Sequence, residues 1–305
     1  MPRASLSEIV RAFGVEPAAI LLASKRHNTH WRVRAADGGL YFLRRFGEQP
    51  DLDADAAWEF ETVRDLSARG WPVSVPVKAP RWIDGRLYTL LPHISGRQLG
   101  KGSSDPAGYV WLGRQLAVLH MRLEDLAPPR QRPGWTELQD GARTRPGQPP
   151  REDLLNLLRR HAPARADQLQ AAIEALEARR LHALFADAPR QIVHGDFSPW
   201  NVLRREGRLT GVLDFELAHV DIAAADLAFA RRGSHNAVVE GYLQVRPLPE
   251  GDLEALDALW TGAVLTSAWL ELTPALEADR LEPGALDWPM AQLEKTFPYR
   301  GRAPH

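Results

Sequence analysis

Cysteine is absent from the 305 residues, which removes disulfides, thiolate metal ligands and a cysteine nucleophile. Lysine is scarce: Lys25, Lys78, Lys101 and Lys295 are the only four, so the positive charge is almost all arginine. Apolar runs are short. Stretches such as Ile20-Leu21-Leu22-Ala23 fall far below the ~20 residues a membrane-spanning helix needs, and no basic segment leads into an apolar one after Met1. A charge of one sign is missing too, because 38 Lys and Arg against 39 Asp and Glu leave a formal net charge of -1. Such a balance offers no field for nucleic acid or an anionic membrane. These absences lead to the expectation of a cytoplasmic, water-soluble chain with neither nucleic acid nor membrane as partner. Its chemistry has to rest on carboxylate, amide and imidazole groups.

What is present is an ordinary globular mix, 44% apolar and 25% charged, in a chain long enough for one large domain or two lobes. Residues 5–23 read as a helix interrupted at Pro17. Residues 31–34 and 40–44 read as two strands around the turn Asp37-Gly38-Gly39. A helix over 54–69 stops at Gly70 and Pro72. Short strands follow at 73–77, 81–83 and 87–91, the last two joined by Asp84-Gly85. Leu112, Leu116, Leu119 and Leu123 share one face of a helix over 109–123, and His120 ends that face. Residues 127–150 are rich in proline and glycine and read as a long loop. Helices are expected at 151–161, 164–184 and 252–272. The order predicts an α+β, bilobal protein: a small antiparallel-sheet lobe over 1–91, a hinge linker over 92–97 and a larger, mainly helical lobe over 98–305.

Two stretches carry chemistry, His194-Gly195-Asp196-Phe197-Ser198-Pro199-Trp200-Asn201 and Asp214-Phe215-Glu216. Phosphoryl transfer to a hydroxyl needs an acceptor for the hydroxyl proton and oxygen ligands for a magnesium ion on the nucleotide phosphates. Asp196, Asn201 and Asp214 have the residue types and the spacing for those three roles.

Residues 193–203 resemble the catalytic loop of the aminoglycoside phosphotransferase and choline kinase-like enzymes, a family that includes type II homoserine kinases and shares the protein kinase fold. Residues 211–216 resemble its metal-binding segment, and Asp226-Leu227-Ala228 resembles the start of its next helix. The resemblance implies a bilobal protein kinase-like fold, ATP (or GTP) and Mg2+ as cofactors, and a small-molecule hydroxyl acceptor. It implies Asp196 as the catalytic base and Asn201 and Asp214 as metal ligands, with His194 supporting the loop through hydrogen bonds.

In the N-terminal lobe, Arg44 stands where the family's strand ends in lysine. Its planar fork can bind two phosphate oxygens, and Glu59 is its expected partner, with Glu61 the rival. The segment Ser24-Lys25-Arg26-His27-Asn28-Thr29-His30 resembles the nucleotide loop of homoserine kinase-like members and makes Asn28 a nucleotide contact, as His93 in the linker is. His27 and His30 lack a third ligand and do not read as a metal pair. Trp200 either lines the acceptor pocket or packs beneath the loop. Glu216 is expected near the metal or the acceptor, and Asp221 and Asp226 cap or brace the helix that follows.

Two functions remain open at this point. One is transfer of a terminal phosphoryl group to a hydroxyl of an aminoglycoside-type antibiotic, a homoserine-like molecule or a related acceptor. For an amino-acid acceptor, Arg231 and Arg232 are candidate cations for its carboxylate. The alternative is a nucleotide-binding pseudokinase or scaffold, suggested by the missing lysine and the glycine-poor phosphate loop. A protein kinase is disfavoured because no Ala-Pro-Glu segment follows Asp214. The acceptor, the choice of ATP or GTP and the oligomeric state are left open by the residues.

Overall fold

The computed structural model describes residues 3–25, 28–47, 52–99, 105–128 and 148–299. The chain divides into two units, residues 1–100 with 200–216 and residues 101–199 with 217–305.

The first unit opens on α1 (Leu6–Ala12), closed by a capping box. Ser5 Oγ accepts the Glu8 N–H at 3.3 Å while Glu8 Oε2 accepts the Ser5 N–H at 2.7 Å. A five-stranded antiparallel sheet follows, built from β1 (Pro17–Lys25), β2 (Thr29–Ala35), β3 (Leu40–Arg45), β4 (Arg81–Ile83) and β5 (Arg86–Pro92), in the order β1-β2-β3-β5-β4. Ile9 and Val10 of α1, with Phe13 just past its end, pack on Val33, Leu43, Tyr88 and Leu90 of the sheet. Strand side chains alternate between faces. With Leu43 on the α1 side, Arg44 therefore lies on the other, where α2 (Leu52–Ala68) supplies Glu59 and a fully buried Trp58. The unit is completed by a three-stranded sheet of β6 (Arg97–Gln98), β8 (Val202–Arg205) and β9 (Arg208–Val212), in the order β6-β8-β9.

The second unit carries α3 (Pro106–Leu123), α4 (Arg151–His161), α5 (Pro163–Ala178), α6 (Leu181–Leu184), α7 (Ala223–Arg231), α8 (Asn236–Leu243), α9 (Glu250–Glu254), α10 (Leu256–Glu277) and α11 (Asp287–Glu294). Its strands β7 (Gln191–Val193) and β10 (His219–Asp221) pair antiparallel. Helices α3 and α8 approach so closely that a Cβ on Gly113 would lie 1.9 Å from the Val238 carbonyl oxygen. One on Gly241 would lie 1.9 Å from that of Val110, so only glycine fits at either place. Helix α10 buries Trp260, Val264, Leu265, Trp269 and Leu272, and truncating such a tryptophan to alanine costs about 3–5 kcal/mol.

Several expectations are corrected here. Residues 17–23 belong to β1 and not to a helix: the alanines and leucines favour helix locally, but pairing of Pro17–Lys25 with β2 overrides that preference. Residues 73–77 form no named strand. Val73 makes one isolated bridge to Val212 and the Val77 N–H reaches the Leu90 carbonyl at 2.8 Å, while Pro72 and Pro76 remove donors that a ladder would need. The helix expected over 164–184 breaks at Arg180, which has φ 49°. The one expected over 252–272 is split at Ala255 into α9 and α10. Most of the proline-rich stretch 127–150 lies outside the described residues, as does His27. No described helix is long and apolar enough to cross a membrane.

Candidate active site

In the second unit, β7 and β10 present a loop that begins at His194. Gly195 has φ 80°, and a Cβ there would lie 2.2 Å from the Leu217 carbonyl oxygen, so glycine is required at this turn. The fully buried Asp226 of α7 accepts the His194 N–H at 2.8 Å and the Gly195 N–H at 3.0 Å. His194 Nδ1 then accepts the Asp196 N–H at 3.2 Å. Behind Asp226 stand His120, with Nε2 at 3.1 Å, and Tyr242, whose hydroxyl lies 2.8 Å from His120 Nδ1. Burial drives the Tyr242 hydroxyl well above its ordinary pKa, which keeps it protonated. The Asp196 carboxylate is half-buried; Ser198 Oγ donates to its Oδ1, and Arg232 Nη1 lies 3.7 Å from the same oxygen.

Burial alone would raise the Asp226 pKa, but the hydrogen bond and charge of His120, with His194 adding to them, bring the carboxyl below its ordinary range. Asp226→Asn breaks a buried network and lowers stability by about 3–5 kcal/mol in denaturant unfolding at neutral pH. The folded carboxyl titrates below the unfolded one, so unfolded chains take up the proton first as the pH falls. The stability it contributes is complete above the ordinary carboxylate range and is lost through the folded value. The deficit of the variant is therefore largest at neutral pH and shrinks in acid. A deficit that does not change with pH contradicts this role.

In the first unit, Arg44 is 3% exposed and pairs with Glu59 at 2.5 Å. Its Nη1 lies 3.7 Å from both Asp214 Oδ1 and Glu216 Oε2, and its guanidinium stacks 4.2 Å from the Phe46 ring centre. Burial alone would lower the Arg44 pKa, but Glu59, Glu216 and Asp214 hold it above the ordinary value. Asn28 Nδ2 donates to Glu216 Oε2 at 2.5 Å and Oδ1 accepts the Gly47 N–H at 3.0 Å. Glu216 thus joins Asn28 and Arg44. Asn201 and Asp214 flank the same end of the β8–β9 hairpin, where Val202 pairs with Val212 and the Leu213 N–H donates to the Asn201 carbonyl at 2.8 Å. Asp214 holds φ 65°, a left-handed conformation rare outside glycine. His93 is exposed and stacks 6.0 Å from Phe42.

The donor chemistry at the hairpin end suits magnesium. An amide oxygen and a carboxylate are hard ligands, and the Asp214 side chain is 43% exposed. Sequence reading placed Asp226 as a brace of its own helix; the structure adds the loop amides that it holds. His120 and Tyr242 gave no signal, since they stand 106 and 122 residues from their partners. Asp221 does accept the Ile222 N–H at 2.8 Å at the start of α7.

Comparison with known proteins adds four findings. The sequence model of the phosphotransferase enzyme family matches residues 19–259. A homoserine kinase from Granulibacter bethesdensis is 30% identical over 292 residues, covering 86% of this chain and 84% of its own. Among solved structures, a microcompartment-associated aminopropanol kinase superposes with a TM-score of 0.68 at 17% identity, over 95% of this chain and 93% of its own. An amicoumacin kinase in complex with AMP-PNP and Ca2+ gives 0.67 at 13%, over 96% and 92%.

Proposed function

We infer the reaction from one premise: the chain belongs to the phosphotransferase enzyme family, has the protein kinase-like fold and is a small-molecule kinase. On that premise we propose that it transfers the terminal phosphoryl group of ATP or GTP to the hydroxyl of a hydroxy amino acid, with homoserine the first acceptor to test. The acceptor hydroxyl gives its proton to Asp196 as its oxygen takes the phosphoryl group. The nucleoside diphosphate leaves, and the proton passes to solvent. Asn201 and Asp214 would hold magnesium, which when bound neutralises charge on the phosphate oxygens. Arg44, kept charged by Glu59, is assigned to the phosphates, and Asn28 is assigned to the nucleotide through its neighbour Glu216.

The observation that carries this reading is the loop itself. Three backbone N–H bonds, two to Asp226 and one to His194, fix the segment that bears Asp196. A nucleotide-binding module has no need of a positioned base, which is why catalysis is preferred over the scaffold alternative. The named activity of the 30%-identical relative supports the acceptor class.

The test is nucleoside diphosphate release with ATP or GTP, with and without Mg2+, across homoserine, 1-amino-2-propanol, choline and an aminoglycoside. Magnesium-dependent release with homoserine in large excess over the other acceptors is expected. Release that favours the aminoglycoside or ignores the acceptor would overturn the choice of acceptor.

A further inference from the structure

Arg232 follows the last residue of α7 at φ 50°, ψ 47°, and its N–H closes the helix on the carbonyls of Ala228 and Phe229, each at 3.2 Å. The left-handed conformation costs energy for any residue but glycine, and it turns the chain where the side chain meets three aromatic rings. The guanidinium carbon lies 5.6 Å from the Phe229 ring centre, 5.4 Å from Trp260 and 5.8 Å from Trp288. Trp260 stands edge-on to both of the others, so the three rings brace one another and fix the plane of the fork. Tyr109 and His235 stack in parallel at 4.2 Å; burial raises the Tyr109 pKa against the pull of Arg232, and burial lowers that of His235 with Arg232 adding to it.

This held cation lies beside the proposed base. Arg232 Nη1 and Asp196 Oδ1 are 3.7 Å apart, inside ion-pair range but beyond hydrogen-bond length, and Ser198 Oγ donates to that same oxygen. The guanidinium and the carboxylate thus stand side by side, so a short molecule whose acid group meets the fork, as Arg forks commonly meet carboxylates, would bring a hydroxyl a few bonds away to Asp196. The neighbouring Arg231 is engaged elsewhere, with Nε at 2.8 Å from Asn236 Oδ1 and Nη2 at 2.6 Å from the Phe297 carbonyl.

Resting on the reading of the reaction above, we propose that Arg232 binds the carboxylate of the acceptor and thereby selects hydroxy acids over amino alcohols that lack the acid group. The aromatic rings pre-organise the fork, so little ordering is left to occur on binding. Lysine at this place would present a single point charge without the planar geometry.

The experiment compares L-homoserine with L-homoserinamide, in which the acid is a neutral amide, using Mg2+ and ATP. In the unaltered enzyme kcat/KM should favour homoserine by about 10²-fold or more, mostly through KM. Arg232→Met should collapse that ratio to within a few fold, and Arg232→Lys should restore part of it, with thermal unfolding confirming that each variant folds. The comparison of the two acceptors on the unaltered enzyme needs no substitution. Equal use of both acceptors by the unaltered enzyme overturns the Arg232 assignment alone. So does an Arg232→Met variant that loses both activities by one factor, since that outcome makes Arg232 a positioning residue for Asp196. Turnover of neither acceptor overturns the reading of the reaction, and this assignment with it.

Discussion

Asp196→Asn lowers kcat by about 10²- to 10⁴-fold, the range over which a positioned base contributes to proton transfer. The loss should appear in kcat and kcat/KM together, with the dissociation constant for nucleotide nearly unchanged, because Asn keeps the shape of the side chain while removing the basicity and charge assigned to the acceptor. Folding should be little affected. The loop is held by Asp226 and His194 through backbone groups that the substitution leaves in place. Stopped-turnover assays with saturating nucleotide, paired with nucleotide binding by calorimetry, give both quantities. Activity within a few fold of the parent would remove Asp196 from the role of base.

Arg44→Met should act on stability and on nucleotide use at once. Removing one member of a buried pair strands the other charge, and the Glu59 carboxylate left behind costs about 3–5 kcal/mol. The double variant Arg44→Met with Glu59→Met separates the two effects. Replacing both partners by apolar groups of similar size is often neutral for stability, so the double variant should regain most of the lost unfolding free energy. Its kcat/KM for nucleotide should stay depressed by about 10²-fold or more, since the cation near Asp214 and Glu216 is still missing. Recovery of activity together with stability would show that Arg44 serves only the fold.

The loop over His194–Asn201 stands out in the sequence because its polar residues lie close together in the chain, at the spacing that the proposed proton acceptor and metal ligands need. The Arg44–Glu59 contact could also be read, since strand β3 and helix α2 are neighbours in sequence and a buried guanidinium requires a carboxylate. Residues 17–23 were misread for the opposite reason. Ala18, Ala19, Leu21 and Leu22 are good helix formers, and the partner that makes them a strand is β2, whose pairing no local pattern reports. The support beneath the loop was hidden by distance: the contact of Asp226 with His120 joins residues 106 positions apart. Sequence named Arg232 only as one of two adjacent arginines. What separates them is the turn at the end of α7, which engages Arg231 with Asn236 and Phe297 and brings Arg232 to Asp196.

The most direct measurement is product analysis by phosphorus NMR after incubation of the enzyme with Mg2+, ATP and homoserine. The account predicts one new phosphomonoester on the acceptor hydroxyl, formed in equal amount to the nucleoside diphosphate and absent with Asp196→Asn. Nucleotide that binds but yields no phosphomonoester, or yields diphosphate and inorganic phosphate alone, would contradict it.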